Sequence, residues 1–173
     1  MTIKLNQLSK LTQKNTFIKF KILILLCLLY TGFSSAQITN DISHEEAFTA
    51  ILAAKKEAEK SKVVVNIAIV DAGANLKGFI RMDESFLGSI DVAIKKAKTA
   101  RFFNIDTGKL GELTQPGGII YNIELSNDGL ITFPGGVPIK NKKGKIIGAI
   151  GVSGGTIEQD RAIAIAGAKS ILE

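Results

Sequence analysis

"VVVNIAIVDAGANLKGFIRM", Val63 to Met82, decides the fold. Its first half, Val63 to Ala72, is β-branched and almost entirely apolar, the pattern of a strand buried on both faces. "DAGANL", Asp71 to Leu76, supplies the Asp, Gly and Asn of a tight turn. Leu76 to Met82 then returns as a second strand, so the stretch reads as a hairpin. A hairpin is antiparallel, and a regular alternation of strand and crossover helix is ruled out for this part of the chain.

The flanking segments extend that reading. "ISHEEAFTAILAAKKEAEK" precedes the hairpin, with Ala47, Ile51, Ala54 and Ala58 at helical spacing and Ser43 with Glu46 as a capping box. "SIDVAIKKAKTARFF", Ser89 to Phe103, follows it as a second helix, packed through Ile90, Ala93, Ile94, Ala97 and Ala100 or Arg101. Asp106 to Gly118 reads as a short helix and a loop. Gly129 to Lys140 reads as a strand broken at Pro134-Gly135-Gly136, and Gly144 to Gly154 as the last strand, joined by the solvated turn "KNKKGK". Thr156 to Leu172 closes the chain as a helix, with Thr156 and Gln159 as a second capping box. The order helix, hairpin, helices, strands, helix predicts an α+β fold, an antiparallel sheet with flanking helices. No internal repeat, low-complexity segment or linker divides it.

The start of the chain reads differently. Lys4, Lys10, Lys14, Lys19 and Lys21 form a basic lead, followed by the apolar "ILILLCLLYTGF" and the small residues "SSA". This is the pattern of a secretory signal peptide over residues 1–36, cut after Ala36, with a retained anchor as the alternative. One domain then spans residues 37–173, and the destination is the periplasm or the medium. All 16 acidic residues but only 17 of the 22 basic ones follow Ala36, so the mature chain carries about +1 rather than +6. That balance leaves no broad basic face for nucleic acid. The lone Cys27 lies in the leader without the small residues that precede a lipid-modified cysteine. The mature chain therefore has no thiol, which excludes thiolate nucleophiles, disulfides and thiolate metal sites.

Chemistry-bearing motifs are few. Gly151-x-Ser153-x-Gly155 sits between a strand and a helix, the context of a nucleophile elbow, but a serine nucleophile needs a base. His44 is the sole histidine and precedes the serine, so a tight turn is the plainer reading. The glycine spacing matches neither nucleotide fingerprint. One histidine cannot make a zinc site, but haem iron needs only one or two protein ligands, which leaves His44 and Tyr121, and more weakly Met82, as candidate axial ligands. Asp71, Asp83, Glu84 and Asp160 stand at turns or helix starts and read as turn or helix-dipole residues. No complete catalytic set emerges, which favours a binding protein over an enzyme.

Three ordered motifs, "VVVNIAIVDAGANLKGFIRMDESFLGSIDVAIKKAKTA", "PGGVPI" and "GKIIGAIGVSGGTIEQDRAIA", resemble the GlcG/HbpS-like haem-binding or haem-degrading family, which includes the C-terminal part of PduO-type proteins. The resemblance runs from about Ser43 to Leu172. It implies a central antiparallel sheet with helices on both faces, in a profilin-like layering, and assembly into homo-oligomers. It implies haem as a cofactor and, for some members, a membrane sensor as partner. The alternative is an accessory protein or small-carboxylate binder encoded in a catabolic operon. "GVSGGTIEQD" then becomes the family's turn into its last helix. The shared motifs are expected to meet at one pocket or subunit interface, with Arg81, Lys96, Thr99, Gly135, Gly136, Ser153 and Gly154 as candidate ligand-binding residues, Arg81 and Lys96 facing carboxylates. His44 falls where a helix-one histidine serves in some relatives.

Overall fold

The computed structural model describes residues 40–172, and the leader lies outside the described residues. Helix α1 spans His44–Lys60, and strands β1 (Asn66–Asp71) and β2 (Leu76–Arg81) form the hairpin. Helices α2 (Ser89–Phe103) and α3 (Thr107–Thr114) follow, then a single 3-10 turn at Ile123–Leu125. Strands β3 (Gly136–Lys140) and β4 (Ile146–Ser153) and helix α4 (Ile157–Lys169) complete the chain. The four strands form one sheet in the order β2-β1-β4-β3, with every neighbouring pair antiparallel.

Side-chain size along the two central strands decides which helix lies on which face. In β1, Ile67 and Ile69 point one way and Ala68 and Val70 the other. In β4, Ile150 and Val152 alternate with Ala149 and Gly151 in the same sense. The bulky face packs against α1 and α4 through Ala47, Ala50, Ile51, Ala54, Ile163 and Ala164. The small face takes α2 through Ala93, Ala97 and Ala100. Helix α2 lies so close that a Cβ on Gly151 would collide with the Ala93 carbonyl and the Ala97 amide. Each buried isoleucine on the bulky face contributes about 1.5–3 kcal/mol.

Both capping boxes form: Ser43 with Glu46 opens α1, and Thr156 with Gln159 opens α4. The turn between β3 and β4 is closed by Asn141, whose amide donates to the Lys145 carbonyl and whose side chain accepts from the Lys143 and Lys145 amides. Two expectations are corrected. Only the part after the Pro134-Gly135 break is strand, and 129–135 is irregular chain tied down from below. The first strand also begins at Asn66, because Val63 still closes α1 through its amide to Ala58.

Candidate functional site

Two of the glycine-bearing motifs, "PGGVP" and "GVSGGT", lie around one buried charge. Lys96 lies on the alanine stripe of α2, one turn from Ala93 and from Ala100, and is fully buried. Its ammonium donates to Asp160 Oδ2 at 2.8 Å and to the Val152 carbonyl at 2.9 Å, and lies 4.7 Å from the centre of the Phe133 ring. Asp160, in the first turn of α4, is 3% exposed and accepts through Oδ1 from the Gly155 amide at 2.9 Å. Burial pulls the lysine below its ordinary range, opposed by the bond to Asp160; burial likewise raises the Asp160 carboxyl, opposed by Lys96 and by the Gly155 and Gly154 amides.

This pair ties α2, β4, α4 and the loop before β3 into one unit. Gly135, with φ of +124°, passes so close that a Cβ there would stand 2.7 Å from both Lys96 Nζ and the Val152 carbonyl oxygen. Thr107, at the start of α3, donates to the Phe133 carbonyl at 2.8 Å and accepts from the Gly136 amide at 2.9 Å. Thr99 accepts from the Ile131 amide at 3.1 Å. Of the residues singled out by sequence, Lys96, Gly135, Gly136 and Gly154 therefore gather at the ion pair. Thr99 sits one turn along α2, holding the loop. Lys96 spends its ammonium inside the chain, on a carboxylate that the sequence reading assigned to a helix dipole. The signal was legible: a lysine in register with Ala93, Ala97 and Ala100 is a buried lysine, and a buried lysine requires an acid.

Arg81 and Ser153 stand elsewhere, at one end of the sheet. The register places Arg81 opposite Asn66 and Asn66 opposite Ser153. Asn66 is occupied, donating to the Phe86 carbonyl and accepting from the Ser85 hydroxyl. Arg81 is exposed, and Ser153 is 94% buried with no side-chain hydrogen bond among the described residues. No histidine lies within this row, so it assembles no nucleophile–base couple.

The candidate iron ligands occupy different surroundings. Met82 is half-buried and packs on the main core. Tyr121 is exposed on the irregular loop after α3. His44 is exposed on the first turn of α1, its ring 4.7 Å from that of Phe48. Phe48 and Leu52, each one turn further along, are also exposed, at 46% and 60%. This flank faces the β2 edge, where Gly78 gives room to Ile51 of α1. Hydrogen bonds from its own backbone and from Ser43 chiefly hold the Glu45 carboxyl below its ordinary range, with His44 and Lys77 adding to the effect. Among the described residues no group of three or more His, Cys, Asp or Glu could hold a bare metal ion.

The model of the family described as "Haem degrading protein HbpS-like" matches residues 42–169. The chain belongs to the HbpS-like family. Among HbpS-like relatives, an uncharacterized 15.0 kDa protein of the dhaT-dhaS intergenic region of Citrobacter freundii is 38% identical over 130 residues, 70% of this chain and 91% of that one. The crystal structure of Klebsiella pneumoniae ORFY superposes with a TM-score of 0.74 at 34% identity, covering 80% of this chain and 96% of ORFY. That of the PduOC:haem complex superposes at 0.72, also with 34% identity, covering 76% and 95%. The HbpS-like fold thus accounts for the motifs quoted from the sequence: they are the residues around the Lys96–Asp160 pair and the hairpin.

Proposed function

We propose that this protein binds haem on the outer flank of α1, with His44 as an axial ligand. The observation that carries the reading is the exposed imidazole beside the exposed Phe48 and Leu52: a ligand nitrogen next to an apolar surface of the kind a macrocycle covers. Membership of a family described as haem degrading, and likeness to a protein crystallised with haem, support it. The donor set fits. His44 sits on a helix, whereas Tyr121 rides on a loop and Met82 is drawn into the core. Bound haem would supply an iron centre with redox and ligand-exchange chemistry; the chain would supply the imidazole nitrogen and the apolar bed.

A hemin titration followed in the Soret region tests the reading. Saturable binding with a red-shifted Soret band is expected, abolished or severely weakened in His44→Ala. Absence of a Soret change in the parent protein overturns haem binding. Unchanged binding in the variant overturns the assignment of His44.

We also propose that the protein is exported, a reading supported by the basic lead, the apolar run and the "SSA" site. N-terminal sequencing of the exported protein should begin at Gln37; recovery with the leader intact would refute cleavage. We also propose that the protein self-associates through its α2 side, where Phe86 and Leu87 are 72% and 70% exposed.

A further inference from the structure

An open groove of about 360 Å³ runs between the edge strand β3 and the outer flank of α4, with Asp106 and Lys109 at the start of α3 also lining it. Its floor is apolar, made by Val137 and Pro138 of β3 and by Ile165, Ala168 and Leu172 of α4 and the turn after it. Its rim is cationic. Lys109, Lys140, Arg161 and Lys169 line it, against one carboxylate, Asp106. That carboxylate is already committed: Oδ1 accepts from the Gly108 and Lys109 amides, and Oδ2 accepts from Arg161 Nε at 2.8 Å. Lys109, Lys140 and Lys169 have no ion-pair partner among the described residues.

Backbone geometry sets this arrangement. A register shift between Ile139 and Lys140, with its extra residue Ile147 in β4, sets Lys140, the exposed last residue of β3, opposite Ile146. Helix α4 reverses direction after β4 and so runs along β3 in the same sense. The Asp106–Arg161 pair therefore stands at one end of the groove and Lys140 with Lys169 at the other. Pro138 removes a backbone donor from the exposed edge, which disfavours a strand added from another chain. The excess positive charge likewise disfavours the same face of a second copy.

We propose that this groove binds a free amphipathic carboxylate, an aliphatic chain laid on Val137, Pro138, Ile165, Ala168 and Leu172 with its carboxylate between Lys140 and Lys169. Charge complementarity selects the head group and the apolar floor selects the tail. The site lies on the opposite edge of the sheet from His44 and does not depend on haem binding.

Decanoate is the probe, with decanol as the neutral control, both titrated by calorimetry into the protein. Saturable decanoate binding is expected, with decanol and the Lys140→Glu/Lys169→Glu double variant each weaker by about tenfold or more. A second variant, Ile165→Asp, removes the tail contact and weakens decanoate without reversing the head-group charge. Hemin binding stays unchanged in the double variant, which separates this site from His44. Equal affinity for decanol, unchanged affinity in the double variant, or no saturable decanoate binding each overturns the proposal. A change in assembly size in the double variant without decanoate binding in the parent also overturns it, and assigns the groove to a contact between copies.

Discussion

The residue that governs the interior is Lys96. Its ammonium has left water completely, and its stabilisation rests on Asp160, the Val152 carbonyl and the Phe133 ring. Removing one member of such a pair leaves an uncompensated buried charge, so Asp160→Asn should cost about 3–5 kcal/mol. The pH dependence of that loss is specific. Burial already holds Lys96 below its ordinary 10.5, and Asp160 opposes that fall. Without Asp160 the folded-state value drops further. Between it and the unfolded value the unfolded chain binds the proton more strongly, so stability of the variant rises with pH across that window. Urea midpoints of parent and variant should therefore converge as the buffer moves from about pH 7 toward pH 10. A deficit independent of pH would show that Lys96 is not the cause. The pairing of Lys96 with Asp160 bridges 64 residues, which is why no local pattern in the sequence announced the partner. What the sequence does carry is the anomaly itself, a lysine on a buried alanine stripe.

At the scale of elements, close approach and capping contribute very differently. Thr156 accepts from the Gln159 amide at 3.3 Å on an exposed surface, and Thr156→Ala should cost only about 1 kcal/mol. Gly151→Ala adds one carbon between β4 and α2, against the Ala93 carbonyl and the Ala97 amide. Backbone on both sides prevents relief, so the cost should exceed the roughly 1–3 kcal/mol of ordinary overpacking. Thermal melts of the two variants decide it: similar midpoints would mean that α2 can move away from the sheet. The helices were legible because their caps and periodicity are local; Ser89 to Phe103 was read to the residue. Strand β3 was overextended at its start, because Gly129 to Phe133 has strand-like composition but its backbone is held by Glu124 and Thr99 rather than by a neighbouring strand. The Thr107 bonds to Phe133 and Gly136 are long-range in the same way.

At the scale of the whole molecule the two faces of the sheet are unequally covered. Two helices, α1 and α4, close one face, while α2 and the chain around it cover the other and leave Phe79 only half-buried. Beside α2, Phe86 and Leu87 are mostly exposed, and Phe102 projects near its far end. Exposed apolar side chains such as Phe86 and Leu87 favour a covering partner, and a second copy makes each residue count twice across a two-fold axis. Phe86→Glu/Leu87→Glu should therefore lower the assembly mass measured by light scattering. Because both side chains are exposed within one chain, the same variant should unfold within about 0.5 kcal/mol of the parent once dissociated. A parent that is monomeric, or a variant of undiminished mass, rejects the α2 face as the contact. Comparing hemin titrations of the parent and this variant then tells whether the flank of α1 acts within one copy. Binding retained by the dissociated variant means that His44, Phe48 and Leu52 of a single chain suffice, whereas binding lost with dissociation means that the site is completed between copies.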